Sequence, residues 1–274
     1  MATMLDYDFM RHAFIAAGVV ALLAGTVGYF LVMRGQTFAG HALSHVGFTG
    51  ATGAALLGLT PLGGMICVAL LGGVAMGLMG DRLQNSDVAI GSVLALALGL
   101  GMLFLHFFTS YATQVTALLF GNVLGVGTGT LWVLAAMGVV CLVLLTFIAR
   151  PLTFASLQPE LAEAKGVSPR LISVLFLGIV ALATAECIQI VGVLLVFTLM
   201  VGPGATAQRI TNRLGCGVAL SAGLALAEAW LGVALAYRTD WPTSFWISAL
   251  SVGTYAAAVL AKECSELNSP HFTI

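Results

Sequence analysis

The sequence predicts an all-α, polytopic transmembrane helical bundle of about eight or nine spans. Three observations carry this prediction. Of the 274 residues, 60% are hydrophobic and only 8% are charged, whereas a soluble domain carries about 25% charged residues. Apolar runs of about twenty residues, each long enough to cross a bilayer core, recur from end to end, and the mean hydropathy is +1.07. The 33 glycines suit helices that pack closely in a membrane. A β-barrel would instead alternate polar and apolar residues in short segments.

The same composition excludes several classes. A net charge of -1 without a basic patch speaks against nucleic acid as a partner. The five cysteines have no C-x-x-C spacing and read as small buried apolar residues. Asp6 and Asp8 stand where a cleaved signal peptide would be basic. The phosphate-binding pattern G-x-x-x-x-G-K-[ST] does not occur. Any energy source must therefore be a partner or an ion gradient, and residues 1–274 read as a single transmembrane domain.

In chain order, a first span near 9–33 stops at Arg34, and a second near 37–59 is rich in Gly, Ala, Ser and Thr. Pro61 turns the chain into a third, near 62–80. Asp81-Arg82-Leu83-Gln84-Asn85-Ser86-Asp87 mixes charge, amide and hydroxyl and marks an exit from hydrocarbon. A fourth span lies near 89–109, and 110–128 reads as a short surface or re-entrant helix. The fifth, near 129–149, stops at Arg150-Pro151. The longest polar stretch follows, 151–170. Ser156 as N-cap, Glu160 and Glu163 in the first turns and Gly166 as a stop predict a short amphipathic helix there, outside the bilayer.

Residues 171–201 would make about 46 Å of helix, too long for one untilted span of a roughly 30 Å core. The polar interruption Glu186-Cys187-Ile188-Gln189 is the expected break between a sixth and a seventh span, and Gly202-Pro203-Gly204 is expected to break or kink the seventh. An eighth span near 215–237 and a ninth near 243–261 complete the count. With the N-terminus outside, Arg34, Arg82, Arg150, Lys165, Arg170, Arg209, Arg213 and Lys262 fall inside, against Arg11 and Arg238 outside. That bias obeys the positive-inside rule and puts the polar helix in the cytoplasm.

The chemistry-bearing feature is in the second span: His41 and His45 stand four residues apart, on one face of a helix and one turn from each other. Two neutral imidazoles so placed can share a metal ion. Their small neighbours would let another backbone, or an ion in transit, come close. A divalent cation held by two uncharged rings keeps its full charge in a low-dielectric site, so a compensating carboxylate is expected nearby. Glu186 and Glu228 are the acidic residues deepest in apolar sequence and are the candidates, since carboxylates inside a membrane are functional hypotheses by default. His106, at the outer end of the fourth span, and Cys187 are weaker candidates for the metal path. Each carboxylate has a structural alternative: Glu186 in an outside loop, Glu228 paired with a neighbouring helix.

Gly40-His41-Ala42-Leu43-Ser44-His45 is similar to the G-D-A-L-S-H of a known family. Asp87 with Ile90-Gly91, Leu119-Phe120-Gly121, Pro159-Glu160-Leu161-Ala162 with Ala164 and Gly166, and Val191-Gly192-Val193-Leu194-Leu195-Val196 with Pro203 follow in family order. On these pieces most of the chain resembles the ABC-3 family, the membrane permease subunits of bacterial ABC importers for zinc and manganese. The resemblance implies an ABC importer permease fold in the bacterial cytoplasmic (inner) membrane, working as a homodimer. Its partners would be cytoplasmic ATP-binding subunits and an extracytoplasmic metal-binding protein. It makes the helix near 156–166 the coupling helix that docks the ATPase, through Pro159, Glu160, Ala162 and Gly166. No permanently bound cofactor is implied; Zn2+ or Mn2+ is the transported substrate, and the chain is not itself an enzyme. The departure is His41, where the family has aspartate. Imidazole suits zinc and a carboxylate suits harder ions such as manganese, so the sequence points to zinc import, with manganese or iron as the alternative.

Two other classes compete. A gradient-driven secondary transporter would work without an ATPase and often shows an inverted repeat, which this sequence lacks. An intramembrane metalloprotease needs a general base beside the histidines, as in H-E-x-x-H, and here Ala42 follows His41.

Overall fold

The computed structural model describes residues 7–79, 86–107 and 118–267. Among them every long element is a helix: α1 Asp8–Met33, α2 Thr37–Leu56, α3 Pro61–Met79, α4 Ser86–His106, α5 Thr128–Leu157, α6 Pro159–Ala164, α7 Pro169–Val191, α8 Val193–Ile210, α9 Leu214–Thr239 and α10 Thr243–Leu267. A 3-10 turn at Val123–Gly125 precedes α5. Seven of these are long and apolar enough to span a membrane: α1, α3, α5, α7, α8, α9 and α10. α4 adds the apolar stretch Ile90–His106. α2 has the length, 20 residues, but its Gly, Ser, Thr and His lower its hydropathy. The polar loop around Arg82 and the first part of the stretch 110–128, through 117, lie outside the described residues.

α1 is the centre of the bundle. It packs against α5, α7, α8 and α9, so its Ala and Gly positions are buried nearly all round. α7 is the second pillar, flanked by α3, α5, α1 and α2. α2 lies on α3 and α4, while α10 covers α8 and α9. Close approach is what the small residues supply. At the α2–α3 crossing a Cβ on Gly50 would run into the backbone oxygen of Gly64, and one on Gly64 into Gly50 and Ala54.

The chain turns between α7 and α8 on one residue, Gly192, at φ +83°. A side chain there would be strained in that left-handed region and would also meet the backbone of Gly121 and Leu119. The predicted break at Glu186–Gln189 is therefore corrected. α7 runs through those residues to Val191, because Glu186 and Gln189 cost no backbone hydrogen bond, whereas Gly192 alone can take the turn. Of the break or kink expected at Gly202-Pro203-Gly204, the break does not occur: Pro203 is inside α8, which continues to Ile210. The number of spans, and so the side on which each later loop falls, is unchanged by the shift.

Arg34 and Arg170 of the inside set tie neighbouring helices together at one end of the bundle. Arg34 at the end of α1 reaches Ser156 and Ser173, and Arg170 donates to the Leu78 carbonyl at 3.2 Å. At the other end Phe9 and Met10 share a cavity of about 510 Å³ with Tyr237, Asp240 and Trp241, the end of Arg11 and Arg238.

Candidate metal site

His41 and His45 lie one turn apart on α2, and both are partly exposed while the residues between them are buried. Their ring centroids are 4.9 Å apart at an interplanar angle of 84°. Two imidazoles sharing one ion through bonds of about 2.0–2.1 Å carry their centroids roughly 5 Å apart, so the spacing fits a shared ion. Neither ring has a hydrogen-bond partner among the described residues. The neighbouring hydroxyls are committed elsewhere and fix the backbone beneath the rings. Ser44 Oγ donates to the His41 carbonyl at 2.7 Å, and Thr49 Oγ1 donates to the carbonyls of His45 at 3.0 Å and of Ala97 on α4 at 2.6 Å. Phe197 of α8 lies against His41, its ring 5.5 Å away and edge-on at 80°. Sequence reasoning missed Phe197, which looks like one more apolar residue of a span.

The carboxylate expected beside the pair is not there. Glu186 is in the membrane helix α7, not in a loop, and is 0% exposed. Its carboxylate faces α5 and α1: the Cβ position at Gly138 is 3.2 Å from Oε1 and 3.3 Å from Val19 Cγ1. Both of its oxygens lack a hydrogen-bond partner among the described residues. Glu228, on α9, accepts from Thr254 Oγ1 of α10 at 2.8 Å, the pairing with a neighbouring helix that was its structural alternative. His106 is exposed at the end of α4, against Phe107. Cys187 is fully buried. Among the described residues no group of three or more His, Cys, Asp or Glu side chains converges as a metal site. Among the described residues one protomer thus offers two imidazoles and no carboxylate beside them.

The polar helix is α6, Pro159–Ala164, shorter than the 156–166 expected. Ser156 is not its N-cap. It belongs to the last turn of α5, donates to the Leu152 carbonyl at 2.6 Å and accepts from Arg34. Pro159 instead opens the helix at a position where its missing N–H costs nothing. Gly166, at φ +80°, closes it. The Val167 N–H reaches the Ala162 carbonyl at 2.9 Å and the Gly166 N–H the Glu163 carbonyl at 2.9 Å, the paired bonds of a Schellman stop. Ala162 is buried under the helix, whereas Glu160, Leu161 and Glu163 face outward.

A bundle of membrane-spanning helices with two adjacent imidazoles on α2 and a short polar helix between α5 and α7 has the architecture of a multi-pass membrane transport protein of the permease class. The chain belongs to the ABC 3 transport family, whose model matches residues 6–262. It is 30% identical over 231 residues to the "Manganese transport system membrane protein MntC" of Halalkalibacterium halodurans, covering 84% of this chain and 79% of that one. It is 27% identical to the "Probable iron transport system membrane protein" of Haemophilus influenzae, covering 93% and 94%. Its fold is similar to the solved structure described as "PsaBC from Streptococcus pneumoniae in complex with Fab", with a TM-score of 0.83, 26% identity and coverage of 93% and 92%.

Proposed function

We propose that this chain is the permease subunit of an ATP-driven importer for a divalent transition metal, and that zinc is the ion its site suits best. The observation that carries the proposal is the edge-to-face pair His41 and His45, two imidazoles with no hydrogen-bond partner among the described residues, at the spacing of a shared ion. ATP hydrolysis belongs to a cytoplasmic partner subunit, and an extracytoplasmic metal-binding protein delivers the ion. The ATPase docks on α6, through the outward face beside Glu160, with Pro159, Ala162 and Gly166 setting its start, seat and stop. The histidines accept the ion and release it when the ATPase moves α6. Such a site must bind strongly enough to take the ion and weakly enough to let it go. Only neutral imidazole is a ligand, so acidification weakens uptake. Glu186, Glu228 and His106 take no part in the first coordination of the ion.

The names of the relatives favour a second reading, manganese or iron carried by the same architecture. The ligand chemistry separates the two readings, because an all-imidazole pair lacks the hard oxygen donor that manganese prefers. The test is uptake of labelled zinc and manganese into vesicles that hold the chain and its ATP-binding subunit. His41→Ala and His45→Ala should each lower zinc uptake roughly tenfold or more, and His41→Asp should raise the ratio of manganese to zinc. Zinc uptake unchanged in both alanine variants removes the site; manganese preferred by the unaltered chain removes the choice of ion.

A further inference from the structure

Arg34 ends α1, and the sequence gives it no role beyond marking a membrane boundary. In the fold it is a three-way clasp. Nη1 donates to Ser156 Oγ of α5 at 2.9 Å, Nη2 to Ser173 Oγ of α7 at 2.7 Å, and Nε to Gln36 Oε1 at 2.9 Å. The guanidinium also lies 5.5 Å from the centroid of the Phe176 ring, one turn beyond Ser173 on α7. All three hydrogen bonds are partly buried. Ser156 is held as an acceptor because its own proton is given to the Leu152 carbonyl.

The partners are placed in a telling way. α5 ends at Leu157 and α7 begins at Pro169, so Ser156 and Ser173 stand on the two flanks of α6. Gln36 is the residue on which α2 opens, and His41 follows in the second turn of that helix. One rigid, permanently charged fork therefore joins both supports of the coupling helix to the base of the helix that carries the histidines. A displacement of α6 that carries the end of α5 or the start of α7 must pull on the base of α2 as well.

We infer that Arg34 is a positioning residue that transmits movement of the coupling helix to the metal site. This rests on the importer reading above. Arginine is required because a lysine keeps the charge but, as a point donor on a flexible stem, cannot hold three acceptors in one plane.

The test measures ATP hydrolysis and zinc uptake in the same proteoliposomes, made from the permease, its ATPase and its metal-binding protein. Arg34→Lys should leave ATP hydrolysis running while zinc moved per ATP falls about tenfold, the effect of losing one or more charge-assisted hydrogen bonds. The Ser156→Ala, Ser173→Ala double variant, which removes two acceptors with little change of volume and leaves Arg34 in place, should show the same loss. A merely structural role would lower hydrolysis and uptake together through loss of assembled complex. Hydrolysis and uptake that fall in proportion, or that both stay unchanged, in either variant overturn the inference. An unaltered complex that takes up no metal on ATP hydrolysis overturns the importer reading, and the linkage with it.

Discussion

At the scale of single residues, the two membrane carboxylates separate cleanly. Glu228 has a donor in Thr254 and keeps one oxygen satisfied. Glu186 has none for either oxygen among the described residues and is completely buried. A polar group buried without a partner costs about 1–3 kcal/mol by mutational measures. Glu186→Leu should therefore raise the thermal midpoint of the detergent-purified protein and leave zinc uptake intact. A lower midpoint would mean that the carboxylate has a partner after all, and lost uptake would put it on the metal path. Sequence reasoning could single out both residues, because an acid in an apolar run is conspicuous. It could not tell them apart, because what differs is the partner: a threonine 26 positions away for one, and none among the described residues for the other. Arg34 shows the same limit. Its place at the end of a span is legible, while its acceptors stand 122 and 139 positions away.

The elements themselves were largely readable. Hydrophobic length set α1 through α4 and α9 to within a few residues, since a bilayer core dictates how long a span must be. The differences lie where local polarity or a proline suggests an end: Arg150-Pro151 and Glu186-Cys187-Ile188-Gln189 both stay helical. The turn falls instead on Gly192, whose neighbours Val191 and Val193 gave no polar signal. Only the backbone conformation at Gly192, and its contact with Gly121, explains the choice. A β-carbon at Gly192 would combine a disfavoured conformation with a backbone collision, so Gly192→Ala should cost about 2 kcal/mol or more. Gly178, mid-way along α7, has nothing within 4 Å of its Cβ position, and Gly178→Ala should be neutral or stabilise by up to about 1 kcal/mol. Thermal unfolding of the two variants side by side checks this, and equal effects would show that the turn tolerates a side chain.

At the scale of the whole molecule, the proposed site would be unfinished on one protomer. Zinc takes four ligands in a closed site, and on that reading His41 and His45 would supply two. Their face of α2 is open: Phe38, three residues before His41, and Phe197 on α8 are each 38% exposed. Imidazoles that bind an ion do not face lipid, because polar groups at membrane depth turn to protein or to a water-filled path. A second copy of the chain can cover this face. In a two-fold contact a residue close to the axis meets its own counterpart, so the stripe Phe38, His41 and His45 would approach the same stripe of the partner and double the number of imidazoles. Single cysteines placed along the stripe in a chain cleared of its five native cysteines should therefore give a disulfide-linked dimer on mild oxidation in membranes, wherever the two Cα atoms come within about 7 Å. Phe147 on α5 is 79% exposed and belongs to a helix whose outward face is apolar along its length, the character of a lipid-facing surface. A cysteine at that position should remain uncrosslinked under the same oxidation. The reverse pattern, with dimers through Phe147→Cys and none through the stripe, would move the contact to the far side of the bundle and leave the histidines facing lipid, an arrangement in which the pair could not serve as a station for an ion.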